Sequence, residues 1–306
     1  MRQYVIRRLL QVLPIVFLVA TTVFFLFKLI PGDPATVFAG EQASPATIAR
    51  VRERLGLDQP VMVQYWRYLQ RLVKGDLGTS FINGMEVIDL VKARFPNTIR
   101  LAFISTILSA FLGVSIGMVS ALKRESILDY LLTVVALLGI SIPIFWLGLL
   151  LIYIFSVELS LLPIAGAATW KNYIMPVCTL SAVSVASILR ITRSSILEVM
   201  GEDFVRLARA KGLKESRVVF RHVLPNALIP VVTVIGLQFG YMLGGSIITE
   251  TIFGWPGMGR MLVVAVNQRD VMVVQGVLIV FATSFVLVNL IVDVVYALID
   301  PKISYS

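Results

Sequence analysis

The chain has 306 residues, is 58% hydrophobic and has a mean hydropathy of +0.88, which excludes an ordinary soluble domain and points to a polytopic membrane protein. The net charge of +9 does not imply nucleic acid, because the charges gather at the ends of apolar segments and in one later polar stretch. With one cysteine, one histidine and no G-x-x-x-x-G-K-[ST] run, the sequence excludes an intrachain disulfide, a histidine-rich metal site and a nucleotide-binding P-loop of its own.

Arg2, Arg7 and Arg8 precede an apolar run over residues 9–30, long enough to span about 30 Å. The run is too long for a signal peptide and no A-x-A site follows it, so it reads as an uncleaved first helix with a cytoplasmic N-terminus. Pro14 is tolerable near its start, and Lys28 snorkels at its end. A soluble insert follows over residues 31–100. It opens with Pro31-Gly32-Asp33-Pro34, a turn signal. Ser44 N-caps a helix that runs to about Leu55, a second helix spans 60–73 and stops at Gly75, and a third covers about 85–95. Its nine basic residues do not vote on topology, since long loops translocate largely regardless of charge.

The second span, 99–122, repeats small residues every four positions (Ser109, Gly113, Gly117, Ala121), which gives one face suited to close helix packing. The third, 128–155, is interrupted by Gly139 and Pro143. The fourth, 173–191, has the weakest signal, with Pro176, Thr179, Ser181, Ser184, Ser187 and Arg190. Those residues fit a buried helix beside a cavity or partner, and they equally fit a segment that does not cross. Cys178 within it reads as a small buried filler.

Residues 201–230 are the long polar interruption among the later spans. Six cations (Arg206, Arg209, Lys211, Lys214, Arg217, Arg221) would cost on the order of 18 kcal/mol in hydrocarbon, so the segment stays in water. Its pattern predicts a first helix with Phe204, Leu207 and Ala208 on one face and Arg206 and Arg209 opposite. Gly212 stops it. A second helix over 214–223 carries Val218, Val219 and His222 on one stripe and ends at Pro225. The fifth span, 228–252, again has glycines at spacing four (Gly236, Gly240, Gly244). Glu250-Thr-Ile-Phe-Gly-Trp-Pro-Gly-Met-Gly-Arg260 and an amphipathic stretch lead to the sixth span, 273–299, closed by Asp300-Pro301.

Six spans put both termini on one side. Arg2, Arg7, Arg8, Lys123, Arg124, Arg190, Arg193, the six elbow cations and Lys302 fall on that side, against Lys171, Arg260 and Arg269 on the other, so the termini are cytoplasmic. Intramembrane charges are functional candidates by default. Asp293 and Asn289 share a helix face, either as a proton or ion relay or as a structural tie to Arg190 or Arg193. Glu250 either lines an outer gate or snorkels. No nucleophile–base pair, paired acids or metal cluster can be assembled, so no catalytic, cofactor or metal site is expected.

Gly212, nine residues, then His222-Val223-Leu224-Pro225 resembles the EAA loop of ABC-importer permeases, although Arg206-Leu207-Ala208 stands where Glu-Ala-Ala would be and His222 stands at the Ile position. Asp203-Phe204-x-Arg206-x-Ala208-Arg209-Ala210-Lys211-Gly212-Leu213 is similar to the peptide/nickel branch of these permeases. So are Pro31-Gly32-Asp33-Pro34, Leu55-Gly56-Leu57-Asp58-Gln59-Pro60, Gly75-Asp76-Leu77-Gly78 and the 250–260 stretch.

The resemblance implies an all-α membrane protein with six transmembrane helices and the type I importer permease fold. Residues 1–30 would be the N-terminal end and first helix, 31–98 an extracytoplasmic helical insert touching a substrate-binding protein, and 99–306 a five-helix core with a coupling loop at 200–227. Asp203, Phe204, Arg206 to Leu213 and His222 would dock into a partner ATPase; resting on anionic lipid is the alternative for that elbow. Glu250, Trp255, Pro256 and Gly257 would help form the outer gate. A similar second permease, ATPase domains and the binding protein would be partners, with ATP and magnesium held by the ATPases. The implied role is an inner-membrane permease for di- or oligopeptides, glutathione or nickel chelates. The rival is a proton- or ion-coupled secondary transporter using Asp293 and Glu250.

Overall fold

The computed structural model describes residues 2–29, 33–40, 43–54 and 56–299. Pro31, Gly32, Leu55, Asp300, Pro301 and Lys302, which figured in the motifs and charge count above, lie outside the described residues. The described residues are helical throughout apart from turns and one isolated bridge, Thr79 to Glu86.

The first helix, α1 (Arg2–Leu29), packs along the last one, α13 (Val271–Ile299), and touches the rest of the bundle little. The insert begins with α2 (Pro34–Ala39) and α3 (Pro45–Arg54). Asp33 caps α2 by accepting from the Ala35 N–H at 3.2 Å and also takes Arg52 of α3 at 2.8 Å. Ser44 accepts from the Thr47 N–H, as its place before α3 predicts. Next comes α4 (Val61–Val73), whose Tyr65, Tyr68, Leu69 and Leu72 recur at helical spacing and pack with Ala20, Phe24 and Ile279. Gly75 follows at φ +76°.

The expected third insert helix and second span are one helix, α5 (Val87–Leu122). Pro96 removes a single backbone donor, and the turns before it are held by burial of Val87 and Val91 against α13 and α12 (Met258–Asn267). At 36 residues α5 rises about 54 Å, so nearly half of it stands clear of a 30 Å hydrocarbon layer.

Among the described residues five helices are long and apolar enough to cross a membrane: α1, α5, α8 (Lys171–Met200), the helix containing α11 (Leu224–Ile252), and α13. The third predicted span is broken at Ile142-Pro143 into α6 (Ile127–Ser141) and α7 (Ile144–Leu151), the latter continuing as a π-helical turn, Ile152–Glu158. The two halves run antiparallel along α8. Arg193 meets Asp129, a Cβ at Gly139 would lie 3.5 Å from the Ala182 carbonyl, one at Gly148 would lie 3.5 Å from Thr179, and Ser156 reaches Met175. From Arg193 to Met175 is about 27 Å of helix, so the broken pair traverses the same thickness as its neighbour.

The polar fourth span is the most buried of the five crossing helices. Its Thr179 and Ser181 return their hydroxyls to carbonyls four residues back, and Ser184 bonds Gln238 of α11 at 3.1 Å. Small residues let α5 approach it closely. A Cβ at Gly113 would lie 2.7 Å from Ile188, and one at Gly117 would lie 2.7 Å from the Leu189 carbonyl. Gly236 and Gly240 do the same for α11 against Val292 and Phe285 of α13, whereas Gly244 faces open space. Cys178 differs from expectation. It is exposed, on an apolar groove between α6 and α8, because the buried stripe of α8 passes through Val177, Leu180 and Ser181 instead.

Candidate functional site

The polar stretch forms an elbow of α9 (Asp203–Ala210), a turn at Gly212, and α10 (Glu215–Val218). Gly212 has φ +74° and no atom within 4 Å of where a Cβ would stand, so conformation rather than space requires glycine there. The face that anchors α9 is Val205 and Ala208, packed with Ile196, Val218, Val223, Ala227 and Ala121. The expected stripe of Phe204, Leu207 and Ala208 is therefore corrected by one position. Val205 and Ala208, three apart, bury together, and Phe204 and Leu207 stay 42% and 56% exposed.

The second half of the elbow also departs from expectation. Pro225 does not end a helix: α10 widens into a π turn, Val219–Val223, and runs on as α11 with Pro225 in its first turn. Pro225 follows directly on the π turn, whose wider pairing takes the Leu224 N–H back to the Val219 carbonyl. Val218 and Val219 are buried as expected, His222 is half-buried, and Phe220 is 58% exposed. Arg209 clasps Glu215 through two hydrogen bonds of 3.1 and 2.6 Å, joining α9 to α10. The Arg209 guanidinium holds the Glu215 carboxyl below the usual carboxylate range. Arg206 lies 3.3 Å from Asp203 in an exposed pair, Ala210 and Lys211 face solvent, and Leu213 packs on the anchoring cluster. The elbow thus presents Phe204, Leu207 and Phe220 on a basic surface while a separate apolar face fixes it to the bundle.

The 250–260 stretch folds into a tight loop leading to α12. Glu250 is fully buried, so it does not snorkel. Its carboxylate accepts from the Thr98 hydroxyl of α5 at 2.7 Å and from the Arg260 N–H at 3.1 Å. Thr98 in turn accepts from the Met258 N–H at 2.9 Å. Gly257 and Gly259 are required by space, because a Cβ at Gly257 would fall on the Glu250 carboxylate and one at Gly259 would come within 2.5 Å of Ile247. Trp255 is also fully buried, edge-on to Tyr173 at 4.6 Å, and donates its indole N–H to the Asn97 carbonyl at 3.2 Å. Asn97 donates to the Pro256 carbonyl at 2.9 Å. Glu250, Trp255, Pro256 and Gly257 therefore form one hydrogen-bonded unit with Asn97 and Thr98.

Arg193, one of the two arginines expected to hold Asp293, is engaged elsewhere. It pairs with Asp129 at the start of α6 through two 2.8 Å contacts, with the Asp129 side chain 3% exposed. Ser120 and the Glu125 N–H complete the shell of Asp129. The sequence reading passed over Asp129 because it stands beside Lys123, Arg124 and Glu125 and looked like one more surface charge. Asp270 was missed for the same reason. It is buried, accepts from Ser80 and the Phe81 N–H, and bolts the insert to the start of α13. On α13, the Asn289 side-chain oxygen is buried beside Gly240 without a hydrogen-bond partner.

Comparison with known proteins agrees with this architecture. Residues 113–305 match the family described as binding-protein-dependent transport system inner membrane component, and residues 1–102 match its N-terminal membrane component. Over 306 residues, all of both chains, the sequence is 47% identical to the glutathione transport system permease protein GsiC of Salmonella paratyphi A. It is 46% identical, again over all of both chains, to the protein of that name in Escherichia coli strain K12. Among solved structures, an inward-facing form of the MetNI methionine ABC transporter aligns with a TM-score of 0.59 at 18% identity, covering 70% of this chain and 97% of that one. An amino acid ABC transporter crystallised with histidines aligns at 0.51 and 18%, covering 71% and 95%.

Proposed function

Because the chain belongs to the inner-membrane components of binding-protein-dependent transport systems, we propose that it is a peptide-importing permease of the glutathione type, driven through its elbow by partner ATPases. As a member of that family it is a multi-pass inner-membrane subunit of an ABC importer, without catalysis of its own, and it works with ATPase and other subunits. Family membership disfavours the secondary-transporter reading.

The finer assignments are ours. Both termini face the cytoplasm, in line with the basic residues on the short loops. A similar second permease completes the pathway, a binding protein delivers cargo to the insert over 31–98, and the ATPases hold ATP and magnesium. Asp203, Phe204, Arg206 to Leu213 and His222 carry the coupling contact. Glu250, Trp255, Pro256 and Gly257 belong to the outer gate of the 99–306 core. Asp293 serves as a structural tie between α13 and its neighbours, whereas Asn289, with its side-chain oxygen unpartnered, does not share that role. Glutathione or a similar short peptide is the proposed cargo, on the strength of the relatives' names.

The observation that carries the coupling role is the pair of apolar faces on α9, turned about 100° from one another. Val205 and Ala208 satisfy the chain's own packing, so exposed Phe204 and Leu207 in a water-facing segment have no intramolecular use. ATP-driven closure of the ATPases would then rock the helices about the membrane and alternate access. The test is purification of the chain from its native membrane with identification of what accompanies it, together with ATP-dependent uptake of labelled glutathione in vesicles. An ATPase that co-purifies, and is lost from a Phe204→Asp/Leu207→Asp variant still present in the membrane, is expected. Purification of the wild-type chain with no ATPase would sink the reading.

A further inference from the structure

A cavity of about 460 Å³ opens between α1, α4 and the start of α13, lined by none of the elbow residues and by none of residues 250–260. Lys28, Arg67, Arg71 and Lys74 line it, and no lining residue is acidic. Elsewhere in the insert Arg52 is neutralised by Asp33, yet Arg67, Arg71 and Lys74 have no carboxylate partner among the described residues. Lys28 donates to neutral Gln64 at 2.5 Å. Apolar side chains line it as well, Phe24 and Phe27 of α1, Tyr68 of α4 and Met272 of α13, beside neutral Gln64, Gln70 and Gln275. Four uncompensated cations around one cavity repel one another, which a bound anion relieves.

The depth of the cavity narrows what that anion is. Three contacts fix α4 beside the end of α1: Gln64 at Lys28, the Tyr65 hydroxyl 2.7 Å from Thr21, and the Tyr68 hydroxyl on the Ala20 carbonyl. From Ala20 to Lys28 is about 12 Å, so α4 lies level with the last third of the span rather than above it. Its outward side chains suit that level, with Met62 66%, Trp66 62% and Val73 89% exposed. Apolar and aromatic groups with a basic face are the composition of a helix seated at the lipid–water boundary.

We propose that this cavity holds the phosphate head group of an anionic phospholipid of the outer leaflet. Lys28, Arg67, Arg71 and Lys74 meet the phosphate, and Phe24, Phe27 and Met272 take the adjoining glycerol and chain. The proposal rests on the orientation given above, which places the Lys28 end of α1 on the outer face. It is tested on the whole purified transporter by native mass spectrometry, titrating phosphatidylglycerol against phosphatidylcholine. Wild type should retain phosphatidylglycerol at least about ten-fold more strongly, and R67Q/R71Q/K74Q should bring the two lipids within about two-fold. R50Q/K92Q/R94Q, which removes as much charge from the insert outside the cavity, should keep the preference. Equal retention of the two lipids by wild type, or the same loss in both triple variants, would overturn the proposal. So would binding of millimolar inorganic phosphate or an acidic tripeptide that depends on Arg67, Arg71 and Lys74 while phosphatidylglycerol does not bind. Absence of ATPase subunits from the complex would instead speak against the transport reading, and it registers separately in the same spectra.

Discussion

The elbow at one membrane face and the 250–260 loop at the other have opposite constructions. In the loop the polar groups at its centre turn inward: Glu250, Thr98, Asn97 and the backbone donors of Met258 and Arg260 engage one another around two glycines with no room to spare. In the elbow the exposed residues include its aromatics and most of its charges, and one half-exposed ion pair joins its two helices. The loop is finished by its own chain. On the proposed function, the elbow is finished by a partner subunit. Conserving space matters at Gly257 and Gly259, whereas at Gly212 only the backbone angle matters. Mutations should therefore separate into those that unfold and those that uncouple.

The largest effect is expected at the loop. Glu250→Ala leaves the buried Thr98 hydroxyl unpartnered and takes the acceptor from the part-buried Arg260 N–H, and should cost on the order of 3.5 kcal/mol, read as a lowered thermal midpoint of the purified complex. An unchanged midpoint would erase the contrast between the two regions. Arg193→Ala comes next, at about 3 kcal/mol, since it leaves Asp129 buried without its cation. That variant shows whether an inner-face bolt behaves like the outer loop or like the elbow, and the same thermal measurement decides it.

Leu207→Ala and Phe204→Ala should shift stability by no more than about 0.5 kcal/mol, because both side chains are exposed. Each should still weaken ATPase retention and uptake several-fold. A large loss of thermal stability would place these side chains in the chain's own packing. The smallest effect is expected for Glu215→Gln, about 0.3 kcal/mol at pH 7 with no loss of uptake, because the pair is half-exposed. The Glu215 carboxyl is held low by Arg209, so its contribution is present above its unfolded pKa and fades as pH falls through its lower folded value. The variant and wild type should therefore differ at pH 7 and converge below about pH 4, as followed by thermal melts across that range.

Most of the fold was legible because hydrocarbon imposes a long apolar run on each crossing, and small residues at spacing four marked the α5–α8 and α11–α13 contacts. What escaped the sequence depends on neighbours. The helix end expected near Phe95 and the stop expected at Pro225 are both absent, because the turns before Pro96 are held by packing at Val87 and Val91 and the chain passes Pro225 in a continuous helical run. On α9 a one-position rotation separates the stripe 204/207/208 from the buried pair 205/208, and only the cluster at Ile196 and Val218 chooses between them. The elbow motif was visible from its spacing. Asp129 and Asp270 were not, because a buried carboxylate and a surface one look alike until the partners 64 and 190 positions away are in place.

The π turn at Val219–Val223 has a mechanical meaning. No flexible linker separates the elbow from the membrane: α10 passes through that turn straight into α11, whose far end carries Glu250. The 29 residues of α11 make a rod of about 43 Å, so a tilt of about 10° at the inner face swings its outer end by roughly 7.5 Å. A widened turn at the root of a rigid rod is where such a tilt is most easily taken up. On the proposed function, the surface that meets the partner and the loop that closes the far side are two ends of one lever, with its fulcrum at that widened turn.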